Sequence, residues 1–221
     1  MKIKQITNFL ESYAPLSYQE SYDNCGLIVG DAKAEVNGAL ITLDCTEAVI
    51  DEAIATGCNL VIAHHPIIFS GLKKLNGSNY IERTVIKAIK NNIAIYAIHT
   101  NLDNVHNGVN AKIAEKLGLI NCELLALKLE VNSGLIGSGI IGELKTPVNT
   151  EVFLDSLKTK MQTKCIRHTL IVKEKIQRVA VCGGSGSFLL KNAKAAKADV
   201  FITADFKYHE FFDAENKIVI A

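Results

Sequence analysis

Two adjacent histidines that end an apolar run are the residues of this chain best suited to chemistry. Leu60 to Ala63 is typical of a buried strand of a parallel sheet, and His64, His65 and Pro66 follow it. Consecutive strand side chains point to opposite faces, so the two imidazoles can share a site only where the backbone leaves the strand. Pro66 favours that departure, because it removes a ladder donor and confines His65 to extended backbone angles. The pair suits two neighbouring metal ions, although two loop histidines without a ligand would give the same pattern.

A second apolar run, Ile93 to Ile98, leads into His99 and then Asp103. If this strand lies beside the first, their ends are about 4.8 Å apart, so the Asp103 carboxylate can reach cations held by the histidine pair. A carboxylate beside two imidazoles is a ligand set for Zn, Mn, Fe or a similar divalent ion. Asp103 alone would more often be a turn or cap residue, and its pairing with the histidines favours a ligand.

Charge and composition exclude several classes of function. The 221 residues carry a net charge of +1, which gives no electrostatic footprint for nucleic acid or an anionic membrane. No apolar run reaches the roughly 18 residues that span a bilayer, and the N-terminus lacks a signal-peptide apolar region. Six widely spaced cysteines without a C-x-x-C pair indicate reduced thiols. We therefore expect a cytoplasmic protein that binds neither membrane nor nucleic acid.

Strand and helix patterns alternate from Ala39 onward, which predicts an α/β fold. Strands at 39–43, 60–63 and 93–98 are separated by helices at 48–56 and 79–91, and Asp44 has the spacing of a cap for the first helix. This βαβαβ order predicts a largely parallel sheet, whose sites form at the carboxyl ends of its strands. An amphipathic helix precedes it and docks through a stripe formed by Ile3, Ile6, Phe9, Leu10 and Tyr13.

The second half of the chain carries weaker signals, and we place the lobe boundary between residues 105 and 106. The glycine-rich stretch 121–147 predicts bends and one strand near 140–144, followed by a helix at 151–161 and strands at 168–172 and 178–182. The run CGGSGS at 182–187 fits either an anion cradle at a helix N-terminus or a tight structural turn. A predicted strand at 199–203 is followed by Asp205 and His209. If a helix begins there, the two side chains would lie on one face of it. Asp205 considered alone is more typical of a helix cap.

Five segments of the chain carry a resemblance that covers nearly its whole length. They are SYDNCGLIVGD, AHHPIIFSGLKKL, YAIHTNLDNVHNGVN, CGGSGS and ADVFITADFKYHEFFDA. Their order and spacing resemble the GTP cyclohydrolase I type 2 homolog family, the NGG-interacting-factor-like dimetal proteins. The resemblance implies two interlinked α/β lobes, a ring-shaped homohexamer and a dinuclear divalent-metal site between the lobes, with His64, His65 and Asp103 matching the first three metal ligands of the family. The remaining two ligands, a His and a Glu that follow the last strand, are expected beyond Ala221.

The resemblance also implies an activity, that of a metal-dependent hydrolase. Two divalent ions per subunit, of Zn, Fe or Mn type, would activate water for attack on a small substrate such as a nucleotide. The family name implies opening of the guanine imidazole ring of GTP. His99, Asp205 and His209 are candidates for moving protons or orienting the substrate. The alternative hypothesis is a regulator that binds metal and a protein partner through the same ligands without turnover.

Overall fold

The structure, a computed structural model, describes residues 1–131 and 134–221 and confirms the predicted α/β fold. The chain divides into two compact units, Met1–Leu102 and Asp103–Ala221. Each unit is built around one sheet, four-stranded in the first and five-stranded in the second. Among the described residues, no helix combines the length and the apolar character that a membrane crossing requires.

The first unit has the predicted βαβαβ order, preceded by a helix and an edge strand. Its elements are α1 (Ile3–Tyr13), β1 (Gly26–Val29), β2 (Ala39–Asp44), α2 (Glu47–Thr56), β3 (Leu60–His65), α3 (Tyr80–Lys90) and β4 (Ala94–Ala97). The strand order is β1-β4-β3-β2, in which β2, β3 and β4 are parallel and β1 pairs with β4 antiparallel. The carboxyl ends of three neighbouring strands therefore lie along one edge of this sheet.

The two faces of this sheet are packed by different helices. Ala63 of β3 lies in an apolar cluster with Ile50 of α2 and Val85 of α3. On the opposite face Tyr96 is fully buried, and its hydroxyl donates to Glu11 Oε1 of α1 at 3.5 Å. Because both faces of β3 and β4 are covered, most of their residues are apolar, and each strand contains a continuous apolar run in the sequence.

Helix α1 forms as predicted, but the predicted docking stripe is only partly correct. Ile3 is buried, whereas Phe9 and Tyr13 are 71% and 50% exposed. The buried side of the helix is centred on Ile3 and Thr7, which lie four residues apart on one face. Phe9 lies on a different side of the helix and is therefore exposed to solvent.

The second unit is built on a mixed sheet, in the order β5-β6-β7-β8-β9. Strands β5, β6 and β7 are antiparallel neighbours, and β7, β8 and β9 are parallel. The short helix α4 spans the boundary between the units. The elements are α4 (Thr100–Asp103), α5 (Val109–Leu117), β5 (Ile120–Val131), β6 (Gly134–Asn149), α6 (Thr150–Lys160), β7 (Lys175–Ser185), α7 (Leu190–Ala195), β8 (Val200–Asp205) and β9 (Val219–Ile220).

Two of the strand predictions for this unit are wrong. The stretch 121–147, predicted to hold one strand, forms most of the long antiparallel pair β5 and β6; residues 132 and 133 lie outside the described residues. Its glycines allow close contact between strands, because a Cβ on Gly137 would lie 2.3 Å from the Ala126 carbonyl oxygen. The predicted strand at 168–172 is assigned no strand in the described chain; its Thr169 N–H donates to the Ile220 carbonyl at 3.0 Å.

Asp199 ties the start of β7 to the start of β8. Its side chain is 11% exposed, forms an ion pair with Lys173, and accepts hydrogen bonds of 2.8 Å from the backbone N–H groups of Gln177 and Arg178. Burial would raise the pKa of this carboxyl group, but the hydrogen bonds and the ion pair outweigh burial and hold the pKa below its ordinary value. The carboxylate therefore stabilises this corner of the unit in its charged form.

Candidate metal centre

Three imidazoles meet at the carboxyl edge of the first sheet. The ring centroids of His64, His65 and His99 lie 5.0, 5.2 and 5.3 Å from one another, a nearly equilateral triangle. If one ring nitrogen is taken from each histidine, the three nitrogens lie within 4.8 Å of one another. Nitrogens converging on so small a space make this group the candidate metal centre of the first unit.

Strand pairing positions these side chains. His64 and His65 are the last two residues of β3, and Ala63 pairs with Ala97 of the parallel strand β4. His99 follows that strand by two residues and therefore lies beside the histidine pair. The strand was predicted over 60–63, with the backbone leaving it at the histidines; β3 instead includes both histidines and ends directly before Pro66. Their rings nevertheless approach each other at the strand end with an interplanar angle of 52°.

Each imidazole is anchored through Nδ1 to an oxygen of the same unit. His64 Nδ1 donates to the Ile98 carbonyl at 2.9 Å, and the Nδ1 atoms of His65 and His99 donate to carboxylates at 2.7 and 2.9 Å. The carboxylates belong to Asp44 and Asp23. A proton on Nδ1 makes Nε2 the coordinating nitrogen of each ring, and such oxygen partners are typical of metal-bound histidines. The donor set therefore fits a divalent ion of Zn, Fe or Mn type.

Asp23 is the most constrained of these partners, because its side chain is fully buried. Besides His99 it accepts hydrogen bonds from the Thr100 backbone N–H at 3.0 Å, the Thr100 hydroxyl and the Cys25 thiol at 3.1 Å. Burial would raise the pKa of Asp23, but these hydrogen bonds, led by that from His99, lower it well below its ordinary value. The charged form of Asp23 is therefore favoured beside the His99 ring.

The electrostatics of the triad favour neutral imidazole on His64. Burial lowers the pKa of His64, and the electrostatic interaction with the neighbouring His99 ring lowers it further. Neutral imidazole is the form that binds metal, so the surroundings of His64 hold it ready for coordination.

The roles of Asp44 and Asp23 were not predicted from the sequence. Asp44 was interpreted as a helix cap, but the N-cap of α2 is Thr46, whose side chain accepts from the Val49 N–H. Asp44 is the last residue of β2 and pairs in register with His65. Its position at a strand carboxyl end is the signal that could have identified it. For Asp23, a loop residue, no comparable pattern existed.

Predicted site residues of the second unit have different surroundings. Asp103 ends α4, and its role as a metal ligand stays a prediction. Asp205 is the exposed last residue of β8, and the exposed His209 lies in the separate 3-10 helix Tyr208–Ala214. The two side chains would share a helix face only if a helix began at Asp205, and that condition is not met, because the N-cap at Lys207 separates them.

Most of the glycine-rich run 182–187 belongs to the end of β7, which extends to Ser185, and hydrogen bonds within the protein hold it in place. The Gly183 N–H donates to Asn110 Oδ1 at 2.8 Å, and the Gly186 N–H donates to Thr203 Oγ1 at 2.9 Å. A Cβ on Gly186 would lie 2.5 Å from the Cβ of Cys182, so close packing requires glycine there. The N–H groups of Gly183 and Gly186 are engaged within the protein, which favours a structural role for the run over the anion cradle.

This chain is similar to known proteins along nearly its whole length. The Duf34/NIF3 (NGG1p interacting factor 3) family profile matches residues 1–221. A Clostridium acetobutylicum protein named GTP cyclohydrolase 1 type 2 homolog is 36% identical over 213 residues, covering 96% of this chain and 79% of the relative. The crystal structure of Staphylococcus aureus protein SA1388 matches with a TM-score of 0.90 and 31% identity, covering 100% of this chain and 85% of that one. For a Bacillus cereus protein related to NIF3 the TM-score is 0.93, at 27% identity, with coverage of 100% and 87%. The chain belongs to the Duf34/NIF3 family.

Proposed function

We propose that this protein is a cytoplasmic, divalent-metal-dependent hydrolase of the GTP cyclohydrolase I type 2 homolog kind, acting on a nucleotide or a related small substrate. The observation that carries the proposal is the triangle of imidazoles, each anchored through Nδ1 to an oxygen acceptor. Anchoring of this kind has a cost in conformational entropy and is expected where the opposite nitrogen must be held for a ligand.

The side chains of the first unit have defined tasks in this proposal. His64, His65 and His99 hold the cation, which would polarise a water molecule and lower its pKa towards neutrality. Asp23 and Asp44 orient two of the imidazoles and increase their basicity as ligands. The place of His99 in the triangle supports a ligand role over the predicted role in proton transfer.

Other parts of the proposal come from the family resemblance. Asp103 is proposed as a further ligand, and Asp205 and His209 as groups that move protons or orient the substrate. A second divalent ion per subunit and a homohexamer belong to the same proposal. Elemental analysis should then give two metal ions per chain, and light scattering should give six times the chain mass of 24.0 kDa.

The decisive experiment measures turnover against bound metal. The protein is stripped with a chelator, reloaded with Zn²⁺, Mn²⁺ or Fe²⁺, and assayed for formate release from GTP. Activity should follow metal content and should be lost in His64→Ala. The matched control is His168→Ala, which removes an exposed histidine of the second unit. Equal activity in the stripped and reloaded samples would contradict the proposal, and metal binding without turnover would favour the non-catalytic regulator.

A further inference from the structure

Two exposed aromatic rings lie next to the histidine triangle. The ring centroids of Tyr22 and Phe69 are 6.0 Å apart, and the Phe69 ring meets the His99 ring at 6.3 Å with an interplanar angle of 70°. The Tyr22 and Phe69 residues are 62% and 48% exposed. Single exposed aromatic residues are common on protein surfaces, but this pair forms a continuous row of rings that ends at a metal-ligand candidate.

The backbone beneath the two rings is tied together. Tyr22 precedes Asp23, which is fixed by His99 and Thr100, and Phe69 follows Ile68, whose carbonyl accepts a 2.7 Å hydrogen bond from Asn24 Nδ2. The segments that carry the rings are therefore joined to each other, and one of them is joined directly to the triangle. Such ties reduce the entropy that the two backbone segments would lose when a ligand binds between or beside the rings.

The chemistry of the rings selects the class of ligand. The face of an aromatic ring carries partial negative charge, so it does not attract the phosphate part of a ligand. A cationic ligand would be repelled by the positive charge that the proposed site holds. A planar heteroaromatic ring gains from stacking on either aromatic side chain, whatever its exact substituents.

From these contacts we infer that Tyr22 and Phe69 form a subsite for a planar heteroaromatic ring of the nucleobase type, held beside His99. This inference rests on the proposed function, because it names the part of the substrate that lies next to the metal centre. The two residues act as specificity determinants: they hold the ring, while the three histidines hold the cation.

The test measures binding of guanosine and of inorganic triphosphate separately, by calorimetry on the Zn²⁺-loaded protein. Phe69→Leu keeps an apolar side chain and removes the ring face; it should weaken guanosine binding about 5- to 150-fold. Phe69→Tyr should restore the affinity, and triphosphate binding should not change in either variant. The matched control is Phe212→Leu, which removes a 75% exposed aromatic ring of the second unit.

Metal content, measured by elemental analysis of every variant, separates this inference from the proposed function. Unchanged guanosine affinity in a metal-loaded Phe69→Leu protein would overturn the subsite, as would a wild-type protein that binds Zn²⁺ but no guanosine. Loss of metal together with guanosine in Phe69→Leu would make Phe69 a support of His99 and would also overturn it. A wild-type protein that binds guanosine through Phe69 but no metal would support the subsite and refute the hydrolase.

Discussion

Asp23→Asn changes one oxygen of the carboxylate that orients His99 into an NH₂ group. Oδ1 accepts from His99 Nδ1 and the Asn24 N–H, and Oδ2 accepts from the Thr100 N–H. The NH₂ group must face one of these two sets of donors. Thr100 is only 7% exposed and its N–H cannot turn to water, whereas Asn24 is exposed and an imidazole can move its proton to Nε2. We therefore expect the NH₂ group to face His99 and to convert it to the Nε2–H tautomer.

The size of the effect follows from these contacts. An Nε2–H imidazole offers no lone pair to the triangle, and removal of such a partner typically weakens metal binding about 10- to 100-fold. Loss of hydrogen bonds to a buried charge should lower the free energy of unfolding by about 1.5–3 kcal/mol. The control is Asp51→Asn, since Asp51 forms a 2.8 Å ion pair with Lys87 but its side chain is 61% exposed. This control should lower the free energy of unfolding by less than about 1 kcal/mol and leave the metal affinity unchanged.

Three measurements check this prediction for Asp23. Zn²⁺ affinity is measured by competition with a chelator, and the tautomer of His99 by long-range nitrogen–proton NMR correlation. Urea unfolding gives the loss of stability. Zn²⁺ binding as tight as in the wild-type protein, with His99 still protonated on Nδ1, would refute the argument that this hydrogen bond sets the ligand nitrogen.

The remaining predictions concern the second carboxylate, a glycine and a pH dependence. Asp44→Asn should weaken Zn²⁺ binding less than Asp23→Asn does, because the side chains of Asp44 and His65 are 61% and 45% exposed; chelator competition measures the difference. Gly30→Ala should lower the free energy of unfolding by about 2–5 kcal/mol in urea titrations, since Gly30 has φ +106° and its Cβ would lie 2.6 Å from that of Ala94. Asp199→Asn should destabilise the protein by about 1–3 kcal/mol at pH 7. The lowered folded-state pKa of Asp199 means that this carboxylate stabilises above the unfolded-state pKa of about 3.9 and that its contribution is lost as pH falls through the folded-state pKa, so the two proteins should converge in acid unfolding curves.

Matched variants control the stability predictions. A Cβ on Gly71 would have nothing within 4 Å, so Gly71→Ala should change the free energy of unfolding by less than about 0.5 kcal/mol. Asp155 is exposed on α6, and Asp155→Asn should not reproduce the pH-dependent difference of Asp199→Asn. If a variant and its control lost the same free energy of unfolding, the contacts named for that variant would not be the cause of its loss of stability.

The strands and helices of the first unit were predictable because their sequence signals agree with one another. Apolar runs that end at His65 and near Ile98 are what a doubly covered parallel sheet requires, and the helices between them carry the spacing of crossover helices. The edge at which the histidines meet then followed from topology alone. The helix N-cap was misplaced by two residues, since Asp44 and Thr46 are both good capping residues and only the structure decides between them.

Sequence reasoning failed where glycine and loop residues carry the structure. Glycines in β6 were interpreted as bends, but Gly137 lies against the backbone of the paired strand, and periodicity cannot distinguish the two uses. Asp23 could not be connected with His99, because 76 residues separate them and no strand pattern marks the loop. The aromatic contact of Phe69 with His99 was hidden for the same reason.

Anchoring of all three Nδ1 atoms affects how the centre would select among cations. The imidazoles take their tautomers and angles when the chain folds, so little rearrangement is left for the moment at which an ion arrives. A stiff triangle adapts poorly to an ion of the wrong radius or preferred coordination. We expect discrimination here to come from shape, with exchange between ions of similar size and exclusion of larger ones such as Ca²⁺, which prefers more numerous oxygen ligands.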